Sequence, residues 1–156
     1  FIIAAAPITV VERQQRLEKF FPYMDNWQVV DGLCSSLKEA KREQNAYWEW
    51  LLTLRNTDQP YVIRFVIVMY LTYFLDEYYI DEVLQYVEQL KQDHYYIKMA
   101  IAWLISIAFI KDEHRVTKYL QTAQLEKWIY NKALQKITES HRVSMDTKSI
   151  VKNWKR

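Results

Sequence analysis

Apolar residues recur every three to four positions along most of the chain, which is the spacing of one face of an α-helix. No stretch alternates between apolar and polar residues for long enough to indicate a strand. The chain has one Gly and three Pro, so few residues interrupt the periodic stretches. The pattern therefore predicts an all-α protein whose helices are joined by short turns.

Local signals predict where several helices begin and end. Thr9-Val10-Val11-Glu12 has the form of a capping box, and Pro22 is expected to end the helix that follows. Asp25 or Asn26 can cap the next helix, and Pro60 suits the first turn of a later one. The predicted helices cover about residues 9–21, 27–37, 38–55, 60–75, 80–92, 94–110, 113–122, 125–140 and 146–155. Four side chains of the third helix are predicted to face inward: Tyr47, Trp48, Leu51 and Leu54.

The spacing of alternate helices predicts a repeat architecture. Their starts near residues 26, 59, 94 and 125 are separated by 33, 35 and 31 residues, or one helical pair per step. The helices that begin near 59 and 94 are apolar on nearly all sides, as expected for helices placed between neighbours. These features favour an α-α superhelix, or α-solenoid, over the alternative of a compact helical bundle.

Composition excludes several classes of enzyme. Hydrophobic residues make up 51% of the 156, which is ample for a core and argues against disorder. The single glycine, Gly32, cannot form the Gly-rich loops of nucleotide-binding folds or the turn of an α/β-hydrolase nucleophile. The single cysteine, Cys34, allows no internal disulfide, so we expect a reducing, intracellular setting.

Charge is distributed unevenly along the chain. The net charge is +2, but residues 1–110 carry a net −4 and residues 111–156 a net +6. A basic C-terminal third indicates an acidic partner or, alternatively, an ordinary solvated surface. Lys132 and Lys136 lie four residues apart on one predicted helix, and Lys148 follows on the next. These three lysines are candidates for contacts with the phosphates of an acidic partner, with a solvated helix face as the alternative for each.

Neither a membrane segment nor a metal site is predicted. The apolar N-terminal stretch is stopped by Pro7, and the longest apolar stretch, residues 95–110, is interrupted by Lys98. We therefore expect no contact with a membrane. The three histidines, His94, His114 and His141, have no metal-ligand spacing with each other or with the cysteine.

Arg64 is the one charged residue in the apolar run from 61 to 75, so it must meet a carboxylate or open onto a groove. Asp31 and Arg64 each lie five residues after the start of an alternate helix, which predicts that they are neighbours on one face. Trp27 is one turn before Asp31, and Trp103 lies about one further repeat along the chain. These four residues are expected to line one concave surface. The alternative is that both tryptophans belong to the core, that Arg64 and Asp31 form a structural ion pair, and that nothing binds there.

Four sequence blocks, in order and with fitting separations, carry a family resemblance. They are MDNWQVVDGLCSSL from Met24, YVIRFVI from Tyr61, HYYIKMAIAWLIS from His94 and NKALQKITESHRVSMDTKSIVKNWKR from Asn131. Together they resemble the AlkD-like DNA alkylation-repair glycosylases over about residues 20–156. The resemblance implies a single domain of HEAT-like helical repeats over residues 1–156. It also leads us to expect further N-terminal helices in the full-length protein.

The resemblance also implies a function and a role for each residue of the predicted face. Members of this family release N3- or N7-alkylated purines from duplex DNA without inserting the base into a pocket, unlike base-flipping enzymes. Asp31 corresponds to the carboxylate that stabilises the sugar cation and orients water. Trp27 and Trp103 correspond to aromatic faces against the deoxyribose, and Arg64 either holds a DNA phosphate or fixes Asp31.

From this resemblance we expect a bacterial, cytoplasmic, monomeric enzyme that requires no metal or organic cofactor. Its expected partner is double-stranded DNA containing 3-methyladenine or 7-methylguanine, with Lys132, Lys136 and Lys148 as expected contacts to the DNA phosphates. The alternative, from a different functional class, is a non-catalytic DNA-binding or scaffold repeat protein in which Asp31 has only a structural role.

Overall fold

The computed structural model describes residues 1–156, which form helices and connecting turns without any strand, so the all-α prediction is confirmed. The chain forms two compact units, residues 1–74 and residues 75–156. The first unit contains α1 (Ile2–Ala5), α2 (Val10–Phe20), α3 (Trp27–Ser36), α4 (Gln44–Leu54) and α5 (Pro60–Tyr73). The second contains α6 (Ile80–Gln89), α7 (Tyr95–Lys111), α8 (Glu113–Thr122), α9 (Lys127–Glu139) and α10 (Met145–Lys152).

The predicted starts of three helices of the first unit, α2, α3 and α5, are confirmed. Thr9 Oγ1 accepts a hydrogen bond from the Glu12 amide at 3.2 Å, and the Glu12 carboxylate accepts one from the Thr9 amide at 2.9 Å. Asn26 Oδ1 accepts the Val29 amide at 3.0 Å and so begins α3. Pro60 occupies the first turn of α5. A backbone N–H at this position would have no partner within the helix, so the helix loses no hydrogen bond by having proline there.

The prediction of one continuous helix over residues 38–55 is wrong. A 3-10 turn (Lys38–Lys41) comes first, and the backbone leaves the helical region at Glu43, where φ is −104° and ψ is 42°. Glu39 in this turn faces inward and accepts hydrogen bonds from Arg13 Nε at 2.9 Å and from the Tyr47 hydroxyl at 3.0 Å. Arg13 and Tyr47 are buried, and their donors need an acceptor, so these two hydrogen bonds hold Glu39 and its turn in place. Helix α4 therefore begins only after the turn, at Gln44.

The inward face of α4 also differs from the prediction at one position. Tyr47, Trp48 and Leu51 are buried as predicted, but Leu54 is only half-buried. Trp50 is buried instead, and its indole N–H donates to Glu18 at 2.7 Å. This polar contact with α2 explains how a position outside the predicted apolar stripe becomes part of the interior.

Helix α5 is the centre of the first unit. Every residue from 62 to 71 is buried, and the helix packs against both α3 and α4. A helix enclosed in this way must be apolar on nearly all sides, as the sequence predicts. Arg64, the one charged residue among these ten, is thereby placed at the interface with α3.

The second unit repeats this arrangement around α7. Helix α7 packs along α9 and also contacts α6 and α8, while α10 packs on α9. In each unit, therefore, alternate helices lie side by side, α3 with α5 and α7 with α9, as in an α-helical repeat protein. None of the helices combines the length and apolar character that a bilayer crossing requires.

Candidate active site and basic groove

Asp31 on α3 and Arg64 on α5 form a bidentate ion pair in the first unit. Arg64 Nε donates to Asp31 Oδ1 at 2.9 Å, and Arg64 Nη2 donates to Asp31 Oδ2 at 2.8 Å. Arg64 is only 5% exposed, whereas the Asp31 side chain remains 19% exposed. The pair fixes the carboxylate in one orientation while part of it stays accessible from outside.

Trp27 adds an exposed aromatic face beside this pair. The Asn26 cap starts α3 at Trp27, and one helical turn then separates Trp27 from Asp31. Trp27 is 40% exposed, and the Arg64 guanidinium carbon lies 6.0 Å from the centroid of its ring. The structure thus brings three of the four predicted face residues together: Trp27, Asp31 and Arg64.

The residues around the ion pair include a neutral thiol and a closely covered glycine. The Cys34 thiol is fully buried and points to the Phe65 carbonyl at 3.7 Å. Burial raises the pKa of the Cys34 thiol, and the negative charge of Asp31 raises it further, so it remains protonated and is a poor nucleophile. A Cβ on Gly32 would lie 3.2 Å from the ring of Phe1, which covers this side of α3.

This arrangement suits the stabilisation of a positive charge. A carboxylate offers about four lone-pair positions, of which Arg64 uses one on each oxygen, so Asp31 can still accept a hydrogen bond from water. The exposed face of Trp27 is negative relative to the ring edge and favours a nearby cation.

Trp103 lies in the second unit, on α7, where it is half-buried. Its carbonyl accepts a hydrogen bond from the Ser106 hydroxyl at 2.7 Å, within the same helix. Its predicted contact with deoxyribose remains a prediction.

A basic groove of about 720 Å³ lies along α9 and α10. Of the three lysines predicted to contact DNA, Lys132 lines the groove. Lys136 on α9 and Lys148 on α10 are not among the lining residues, and both are half-buried. The lining residues are Glu126, Lys127, Trp128, Asn131, Lys132, Leu134, Gln135, Thr138, Lys152 and Lys155.

Trp128 lines the groove but is not among the candidate residues predicted from the sequence. Its ring lies 5.9 Å from the ring of Tyr95, and the ammonium groups of Lys98 and Lys132 lie 5.2 Å and 5.6 Å from its centroid. The available signal is the spacing of Trp128 and Lys132, four residues apart, which places both on one helix face. That spacing matches the one between Trp27 and Asp31.

The described chain contains no group of three or more His, Cys, Asp or Glu side chains arranged to hold a metal ion.

Comparison with known families assigns the class of protein. Residues 3–137 match the family model for DNA alkylation repair enzymes, and the chain belongs to that family. Membership gives the protein a role in the repair of alkylated DNA, with DNA as the substrate. No curated protein and no solved structure matches the chain.

Proposed function

We propose that the protein is a monofunctional DNA glycosylase that hydrolyses N3- or N7-alkylated purines from duplex DNA without flipping the base. The observation that carries the proposal is the Asp31 carboxylate, held by Arg64 and partly exposed beside Trp27, in a member of a DNA alkylation repair family. The substrates proposed are 3-methyladenine and 7-methylguanine.

The chemistry of these lesions explains why so few groups are needed. An N3- or N7-alkylated purine carries a positive charge while it is bonded to deoxyribose. When the C1′–N bond breaks, its electron pair neutralises the base, which leaves without a proton from a strong acid. The sugar is then oxocarbenium-like, water adds to C1′, and a proton passes to solvent. The enzyme has only to stabilise the sugar cation and orient the water.

Asp31 is the residue proposed to do both. Its negative charge stabilises the developing cation, and its remaining lone pairs hold the attacking water. Arg64 is proposed to act as a positioning residue, because its two hydrogen bonds restrict the carboxylate to one orientation. A contact between Arg64 and a DNA phosphate remains the other role proposed for it.

The aromatic and basic residues are proposed to place the DNA. Trp27 and Trp103 present ring faces to the deoxyribose, where they favour positive charge. Lys132, Lys136 and Lys148 contact backbone phosphates, which gives affinity without sequence preference. In this proposal the lesion is recognised by its own charge rather than in a base-shaped pocket.

One observation favours the second candidate, a non-catalytic DNA-binding or scaffold repeat protein. A bidentate ion pair whose arginine is 5% exposed is also what a purely structural role for Asp31 would require. Removing one partner of such a pair costs about 3–5 kcal/mol, because the other charge is left buried and unpaired. The two candidates therefore differ in what Asp31 does for the reaction, not in whether it contributes to stability.

The test is release of 7-methylguanine from methylated duplex DNA by the wild type and by Asp31→Asn, with DNA binding measured in parallel. We expect the wild type to release the base and Asp31→Asn to lose release by at least about a hundredfold, as for loss of a key electrostatic group. DNA affinity should stay equal or improve, because a negative charge near phosphates is removed. Binding by both proteins without release by either would favour the non-catalytic candidate.

A double variant separates catalysis from folding. Asp31→Asn combined with Arg64→Met removes both charges of the pair, and such replacements are often close to neutral for stability. We expect the double variant to unfold near the wild-type temperature and still to release no 7-methylguanine. Recovery of release together with stability would mean that Asp31 serves only to neutralise Arg64.

A further inference from the structure

We infer that the basic groove along α9 and α10 binds an unpaired nucleotide, with its base stacked on Trp128 and its phosphates on the surrounding lysines. The inference rests on the proposed action on DNA but not on base excision. It adds a second kind of nucleic-acid contact to the duplex-phosphate contacts described above.

The charge of the groove suits a polyanion. Four of its lining residues are lysines: Lys127, Lys132, Lys152 and Lys155. Glu126 is the one acidic residue in the lining, and its carboxylate accepts the Lys98 ammonium at 2.9 Å. The negative charge of Glu126 is thus already paired, and the groove presents a net positive surface.

Trp128 is held in place as a platform for stacking. Tyr95 packs against it with a ring tilt of 59°, and Lys98 lies over it while bound to Glu126 and Asp93. The Lys132 ammonium donates to Gln135 at 2.8 Å, and both of these residues line the groove. A fixed indole among lysines is the combination by which proteins bind single strands.

The C-terminal residues hold the two distal lysines beside this platform. Asn131 exchanges two hydrogen bonds with the Arg156 backbone, at 2.8 Å and 3.0 Å. The Arg156 guanidinium lies 3.9 Å from the centroid of the Tyr130 ring and donates to the Ala123 carbonyl at 2.9 Å. The chain carrying Lys152 and Lys155 is therefore tied to α9 just beyond these lysines.

An unpaired nucleotide fits this site better than a duplex does. Inside a duplex both faces of each base are covered by neighbouring bases, so an indole finds a free face only at the duplex ends. An unpaired base offers a free face, and stacking on an aromatic side chain tolerates any base. The groove volume of about 720 Å³ lies within the range of small-ligand sites.

Three labelled ligands of equal length test the inference by fluorescence anisotropy with the full chain. They are an oligothymidylate, an abasic strand with the same phosphates, and a blunt duplex. We expect the wild type to prefer oligothymidylate over the abasic strand. Trp128→Ala should lose about 5- to 150-fold in affinity for oligothymidylate, the range for loss of one stacked base, and should bind the abasic strand as the wild type does.

Matched variants control for folding and for charge. Trp128→Phe keeps a ring and should retain most of the preference for oligothymidylate, with circular dichroism confirming that each variant is folded. Lys155→Ala should weaken binding of both single strands, whereas Lys118→Ala, an exposed lysine on α8 outside the groove lining, should not.

Equal affinity of the wild type for oligothymidylate and the abasic strand would overturn the inference, because the groove would then contact phosphates only. The inference would also be overturned if Trp128→Ala kept the wild-type preference for oligothymidylate over the abasic strand. Neither result bears on release of 7-methylguanine, which is measured on duplex DNA and depends on Asp31. Failure of this inference and failure of the proposed glycosylase are therefore distinguishable.

Discussion

Two arginines in the first unit are nearly buried, and each is neutralised by one carboxylate. Arg64 pairs with Asp31, and Arg13 pairs with Glu39 at 2.9 Å while also donating to the Ala6 carbonyl at 3.0 Å. An isolated buried guanidinium would be costly, so each pair is needed for folding whatever else it does. The sequence identifies Arg64 as unusual because its neighbours are all apolar, whereas Arg13 lies among polar residues and gives no such signal.

Glu39 makes stability depend on pH. Burial alone would raise the pKa of Glu39, but hydrogen bonds from Arg13 and Tyr47 lower it below the ordinary value of 4.5. A carboxyl whose pKa is lower in the folded state stabilises the protein above its unfolded pKa and ceases to do so as pH falls through the folded one. We expect the free energy of unfolding, measured in urea, to fall from about pH 5 to pH 3, and to fall less steeply in Glu39→Gln. Identical pH dependence in both proteins would contradict this.

At the scale of elements, sequence signals located most helices because their ends depend on local chemistry. The capping box at Thr9 and the proline at Pro60 act within a few residues of themselves, and both helices start where predicted. The break before α4 depends instead on Glu39 meeting Arg13, 26 residues earlier in the chain. Such a contact leaves no periodic pattern, and neither does the four-residue helix α1.

The Asn26 cap should contribute both to the stability of α3 and to the placement of Trp27 and Asp31. Asn26→Ala removes the acceptor of the Val29 amide and is expected to cost about 1 kcal/mol of unfolding free energy. Asn26→Ser keeps an acceptor at the same position and should cost much less. Thermal unfolding of the two variants beside the wild type checks this. Equal losses in both would show that the side-chain cap is not what stabilises the start of α3.

For the whole molecule, the sequence predicts part of the candidate site and misses part of it. Asp31 and Arg64 are one repeat apart, so a regular spacing of helices is enough to predict that they meet. The groove around Trp128 depends on how α10 and the C-terminal residues pack on α9, which no repeat spacing specifies. Charge indicates that lysines gather in the last third of the chain, but not that they surround an indole.

The basic last third should make DNA binding strongly dependent on salt. Each phosphate that a lysine neutralises releases counterions, so the logarithm of affinity falls linearly with the logarithm of salt concentration. We expect Lys136→Ala to reduce the magnitude of this slope for duplex DNA by about 0.9, the value for one phosphate contact. Lys41→Ala, an exposed lysine of the first unit, should leave the slope unchanged. Affinity that does not respond to salt would exclude the proposed phosphate contacts.

The all-round burial of α5 has a consequence for local opening of the chain. Elements that bury few residues open locally at lower cost, whereas ten successive residues of α5 have no side facing solvent. The amides around Arg64 therefore become accessible to hydrogen exchange only when the first unit opens as a whole. The arginine is thus anchored in the segment least subject to fraying, and the orientation it gives Asp31 persists while the periphery fluctuates.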